Sequence, residues 1–111
     1  MPFVRPADML AATPLPGWSG RFLHSANMTF AHYDIAADTV PLHEHEQEEV
    51  RHIVDGEVAP TVAGEEQVLT AGSVAVVPPQ TPHSVRPVGA VRVIIADYPL
   101  RPNLPGQSRP Q

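Results

Sequence analysis

Residues 41–56 read PLHEHEQEEVRHIVDG, and the interpretation of this stretch governs that of the whole chain. Side chains of an extended strand alternate between its two sides, so His43 and His45 project to the same side and can grip one ion together. Glu49 follows after three residues. A carboxylate beside two imidazoles forms a mixed nitrogen and oxygen donor set. Such a set suits a borderline divalent transition metal and serves calcium or magnesium poorly. Further along, the proline-rich Pro78-Pro79-Gln80-Thr81-Pro82 delivers His83, a fourth candidate donor.

Outward from this stretch, the pattern is one of short strands and frequent turns. Val40 to His45 and Glu49 to Val54 read as strands, and Asp55-Gly56 as a hairpin turn. Glu57 to Val62, a turn at Ala63-Gly64-Glu65, Gln67 to Leu69, a turn at Ala71-Gly72 and Ser73 to Val77 continue the meander. Ser84 to Arg86 and Val91 to Tyr98 supply the last strands. Upstream, Arg21 to His24 and Met28 to Ile35 read as strands, followed by a turn over Ala36 to Thr39. The expected fold is all-β, a sandwich or barrel. Prolines at 2, 6, 14 and 16 limit Met1 to Gly17 to an arm with at most a turn or two of helix around Ala7 to Ala12. Residues 18–98 are expected to form the barrel. Residues 99–111, with four prolines, are expected to form an extended or flexible tail.

Strand parity assigns further roles. Arg51 shares the face of Glu49, while Val50, His52 and Val54 share the other. Arg51 therefore either points into the cavity, where a fixed cation would orient an anionic or oxygen-rich substrate, or pairs at the rim with Glu44, Glu46 or Glu48. Asp97 and Tyr98 are adjacent in a strand, so only one of them can face inward as an acid-base group. His24 and His32 lack ligand partners at short spacing and read as ordinary strand or surface histidines. Trp18, the only tryptophan, reads as an anchor for the core or the arm.

Composition narrows the function classes. The chain has 111 residues, 42% hydrophobic content and no cysteine, which fits one small domain and rules out disulfides and thiolate metal sites. No apolar run reaches membrane-spanning length, and the first residues, MPFVRPADML, lack the pattern of a secretory signal. A cytoplasmic protein with no membrane partner is the expectation. A net charge of -5 with seven scattered basic residues offers no stripe for a phosphate backbone, so no nucleic acid partner is expected.

The spacing of the candidate ligands resembles that of the cupins. His43, His45, Glu49 and Gly56 match the first cupin motif, and Gly72, Pro78 and His83 match the second. Three turn positions depart from the pattern: the first motif's opening glycine falls at Ala37, the second motif's internal glycine at Gln80 and its closing asparagine at Pro87. The resemblance implies a small single-domain cupin of the cupin 2 type, a jelly-roll β-barrel with His43, His45, Glu49 and His83 around one divalent transition metal per chain. Zinc, iron, manganese, nickel and copper all fit such a donor set. Family habit also implies a homodimer.

The layout is similar to two groups of small cupins, one handling unsaturated or keto-uronate sugars by ring opening or isomerisation, the other comprising polyketide cyclases. The leading expectation is a metal-dependent enzyme acting on a small oxygenated molecule through an enolate, with Arg51 orienting the substrate. The runner-up is an oxygen-dependent cleavage enzyme, which requires a redox-active metal. Outside enzymology, the barrel would serve as a sensory module binding a small ligand.

Overall fold

The computed structural model describes residues 3–13, 16–36 and 40–101. Among the described residues, nine strands make one antiparallel sheet that folds back on itself: β1 (Leu10–Ala12), β2 (Trp18–His24), β3 (Thr29–Ile35), β4 (Val40–His43), β5 (Glu48–Val62), β6 (Glu65–Glu66), β7 (Leu69–Thr70), β8 (Val74–Val77) and β9 (His83–Tyr98). The central order is β1-β2-β3-β9-β5-β6, with β4 paired to β9 and with β7 and β8 paired to β5. This is the expected all-β jelly roll. The turn expected over Ala36 to Thr39 lies largely outside the described residues, as does the proline-rich tail beyond Arg101.

Two long strands organise everything else. β5 and β9 pair along their whole length, from Glu48 opposite Tyr98 to Val62 opposite His83. The sequence divides each into two short strands, and the structure corrects both divisions. Asp55-Gly56 is no hairpin turn: β5 runs through it, and the ladder shifts register between Ile53 and Glu57. The net slip is one residue, as in a β-bulge, and it reverses which residues face inward. Glu49, Arg51 and Ile53 point in before the bulge; Val58 and Pro60 are buried after it. The bulge bends the ribbon so that each long strand contributes to both walls of the barrel.

Gly56 makes the bend attainable. Its φ is +93°, and a Cβ there would fall against the carbonyl oxygen of Ala90 and the Cα of Val91 on β9. The Ala63-Gly64 turn is as expected, with φ of 50° and 85°, the doubly left-handed geometry of a tight hairpin between β5 and β6.

The core lies between the walls and includes Phe22, Tyr33, Ile53, Val85, Val93 and Ile95. Trp18 is buried and packs edge-on against Tyr33 with ring centroids 5.4 Å apart, the anchor role its sequence context implies. Within the N-terminal arm, Pro6–Asp8 forms a single 3-10 turn and β1 adds an edge strand to β2, with Leu10 opposite Phe22.

Gly56 and Gly72 share a φ of +93°, but nothing lies within 4 Å of a Cβ built on Gly72. Gly56→Ala is therefore expected to lower unfolding free energy by about 2–4 kcal/mol, against about 1 kcal/mol for Gly72→Ala. Urea denaturation of the two variants checks the difference, which isolates the contact with β9 from the backbone strain common to both.

Candidate metal centre

The register of the sheet builds the site row by row. Val77, Glu49, Asp97 and Thr29 are successive cross-strand partners on β8, β5, β9 and β3, and each is at most 2% exposed. Two carboxylates thus stand side by side in the barrel interior. In the next row Ala75, Arg51, Ile95 and Ala31 are partners. The two alanines leave room for the long Arg51 side chain, which turns back to its neighbour in the strand, with Nε donating to Glu49 Oε1 at 2.5 Å. Arg51 faces inward, as its parity requires. Its partner is Glu49, however, and not the rim acids Glu44, Glu46 and Glu48, which are exposed.

The histidines come from the opposite wall. His43 on β4 is the cross-strand partner of His83 on β9, and His45 lies in the loop that leads to β5. Ring centroids are 4.2 Å apart for His43 and His83, 4.8 Å for His45 and His83, and 5.7 Å for His43 and His45. One nitrogen from each ring lies within 4.8 Å of the others, a grouping that could hold a metal ion. Glu49 adjoins this trio, with Oε2 at 3.7 Å from His45 Nε2 and Oε1 at 4.0 Å from His83 Nε2. His45, Glu49 and Asp97 form a second, overlapping group. His24 and His32 fall in neither; His24 Nδ1 contacts the Thr29 hydroxyl at 2.8 Å.

Hydrogen bonding fixes two of the rings for ligation. His83 Nδ1 lies 2.8 Å from the carbonyl of Thr81, and His45 Nδ1 lies 3.1 Å from that of Gln47. A carbonyl only accepts, so Nδ1 carries the proton in each case and Nε2 is left with a lone pair. Both Nε2 atoms are buried without a hydrogen-bond partner. A buried acceptor is rarely left unsatisfied, and a cation between the rings would satisfy both. The donors present therefore fit a divalent transition metal.

The two motif segments are also tied together. The backbone N–H of Gln80 donates to the carbonyl of His45 at 2.7 Å. Gln80 has φ +55°, so a non-glycine residue occupies the left-handed turn position where the second motif has glycine. The departure in sequence leaves the turn geometry in place.

Arg101 is a site residue that the sequence reading did not single out. Its Nη1 lies 3.6 Å from Glu49 Oε2 and 3.8 Å from Asp97 Oδ2. Two hydrogen bonds hold the segment: the Arg101 N–H donates to the Thr29 hydroxyl at 2.7 Å, and Gln47 Nε2 donates to the Leu100 carbonyl at 3.3 Å. Of the adjacent pair on β9, Asp97 faces inward and Tyr98 is exposed. Asp97 and Glu49 share a hydrogen bond, while Asp97 Oδ1 has no partner.

These contacts set the protonation states. Burial, then the Glu49 charge and the hydrogen bond to it, push the Asp97 carboxyl up to about 8. Burial would raise Glu49 as well, but the Arg51 charge and the Asp97 hydrogen bond bring it down to about 2. Burial lowers His45 to about 4 against the pull of Glu49, and burial also lowers His83. At neutral pH both rings are neutral, the state in which imidazole binds metals.

The signs can be checked in metal-stripped protein. Folded Asp97 keeps its proton up to about pH 8, whereas the unfolded side chain loses it near its ordinary value of 3.8; its contribution to stability is lost as pH rises through about 8. His45 acts in the opposite direction, with stability lost as pH falls from 6.5 towards 4. Between pH 6.5 and 8 the Asp97 effect governs. The wild type is expected to lose stability there by up to ~1.4 kcal/mol per pH unit, and Asp97→Asn to lose almost none. Thermal melts across that range measure the slope.

No curated protein sequence matches the chain. Solved structures that match it include an RmlC-like cupin from Shewanella frigidimarina, at 22% identity with a TM-score of 0.82, covering 92% of this chain and 94% of that one. KdgF from Halomonas sp. matches at 20% identity with a TM-score of 0.80, covering 90% and 94%. Hydroxypropylphosphonic acid epoxidase from S. wedmorenis matches at 14% identity with a TM-score of 0.77, covering 88% of this chain and 59% of that one. At these identities the likeness is one of fold. The family profile described as "Cupin domain" matches residues 29–97, a span that takes in the three histidines, Glu49, Arg51 and Asp97, and the chain belongs to the Cupin_2 family.

Proposed function

We propose that this chain is a metal-dependent enzyme that isomerises, ring-opens or cyclises a small oxygenated molecule through an enolate. The observation that carries the reading is the convergence of three histidines, two of them with unpartnered Nε2 atoms, on a buried carboxyl pair. His43, His45 and His83 would hold the ion, with Glu49 adjoining as the carboxylate ligand. A divalent ion there would polarise a substrate carbonyl and stabilise negative charge developing on its oxygen.

The other residues supply positioning and proton transfer. Asp97, with a carboxyl held near 8, is suited to move a proton close to neutral pH. It would serve as the acid-base group that sequence alone leaves unassigned, carrying its proton at neutral pH and accepting one only in its ionised fraction. Arg51 and Arg101 supply fixed guanidinium donors beside it for anionic or oxygen-rich substrate groups. Below Arg51 the barrel is apolar, walled by Trp18, Ile53, Val58, Leu69 and Val85, with only about 10 Å³ of free space, enough for one water. That cavity touches none of the histidines, so reaction belongs on the histidine side of Arg51.

The test is deuterium exchange at the carbon next to a carbonyl, followed by proton NMR on keto-uronates and 1,3-dicarbonyl compounds under nitrogen. The metal-loaded wild type is expected to catalyse exchange, with a loss of 10²-fold or more in Asp97→Asn and in His83→Ala. Turnover that requires oxygen would transfer the assignment to oxidative cleavage. Binding of these compounds without exchange would leave a ligand-binding barrel.

A further inference from the structure

The charges around the three histidines leave no surplus of negative charge before any ion arrives. Glu49 and Asp97 are the buried carboxylates of the site, and Arg51 and Arg101 are the guanidiniums in contact with them. With both carboxylates ionised, two negative charges meet two positive ones; with the proton on Asp97, two positive charges meet one negative one. The histidines add no charge as neutral ligands. A divalent cation held by the trio therefore brings two uncompensated positive charges to a site whose Glu49 and His83 are each 1% exposed.

Buried charge of that size requires a partner. The nearby acids Glu44, Glu46 and Glu48 are exposed to solvent, where a charge contributes little across high dielectric. Glu49 is itself committed on both oxygens, to Arg51 through Oε1 and to Arg101 through Oε2. Any ion that draws Glu49 toward itself weakens those pairs and frees guanidinium donors beside the metal. What the loaded site lacks is an anion, and the freed donors are the groups that bind one.

We propose that metal and an anionic oxygen ligand bind this site cooperatively, with Arg101 and Arg51 as the residues that select for the anion. The inference rests on the metal-centre reading and adds the charge class of the substrate: a carboxylate or a compound that presents an enolate oxygen to the ion. Coupling of this kind is reciprocal, so an anion must tighten metal binding by the factor by which metal tightens anion binding. It also has a sign that a merely structural role for the arginines would not produce. Removing one guanidinium removes repulsion from the ion, so without anion the variant should hold metal more tightly than the wild type.

Cobalt(II) is the probe for the metal and formate for the anion, since formate carries one carboxylate and chelates poorly. Cobalt affinity is measured by equilibrium dialysis and formate affinity by visible absorption of the cobalt protein, at constant ionic strength set with perchlorate. The wild type is expected to bind cobalt at least tenfold more tightly in saturating formate. Arg101→Met and Arg51→Met should each bind cobalt more tightly than the wild type without formate, and bind formate at least fivefold more weakly once loaded. Arg101→Lys, which keeps the charge, should retain most of the formate affinity. Arg101 lies at the end of the described chain and is partly exposed, so Arg101→Met tests the idea even if Arg51→Met does not fold. Cobalt affinity indifferent to formate, or arginine variants that bind cobalt more weakly and formate equally well, would overturn the inference and leave the metal centre standing. A wild type that takes up no cobalt would overturn the metal-centre reading, and this inference with it.

Discussion

Two carboxylates placed side by side in the interior of a barrel repel each other, and the site is organised around that pair. Glu49 and Asp97 are cross-strand partners with almost no solvent contact. Stability requires that cations neutralise them or that they share a proton, and both solutions are present. Arg51 fills the next inward position on β5 and Arg101 reaches in from the end of β9. Each arginine needs its own structural support. Arg51 fits because its row offers Ala75 and Ala31, and Arg101 is held by backbone contacts to Thr29 and Gln47.

Facing this charged wall, His45 and His83 are kept neutral and correctly oriented. Carbonyls of Thr81 and Gln47 hold Nδ1, and burial disfavours the imidazolium. The result is a preorganised pair of imidazole donors on one wall and a proton-sharing carboxyl pair on the other. The bend at Gly56 is what brings the walls together, since it lets β5 carry Glu49 in one and Val62, the partner of His83, in the other.

Much of this was legible in the sequence, because it depends on spacing within single strands. Alternation places Glu49 with Arg51, and the second motif places His83; the strand expected over Val40 to His45 ends at His43, so His45 joins His43 from the loop and not by alternation. The β fold follows from short runs and frequent turns. What escaped the sequence depends on register between distant strands. Asp97 is adjacent to Glu49 only because β9 pairs with β5 in one register out of many, so parity could say that one of Asp97 and Tyr98 faces inward and could not say which. Arg101 required that same register and the Thr29 contact as well. The Asp55-Gly56 dipeptide misled for a related reason: a left-handed glycine serves a hairpin or a bulge equally, and only the continued pairing with β9 decides between them. Arg51 has an inward direction legible from parity, yet its partner was not, because parity fixes the face of a side chain and not whether it extends across the cavity or folds back along its own strand to Glu49.

The most direct test of the account is the metal content of protein purified without an affinity tag or added metal, set beside His45→Ala and His83→Ala. The account predicts close to one equivalent of a divalent transition metal per chain in the wild type and its loss in both variants. A wild type that carries no metal and takes none up on reconstitution would contradict it.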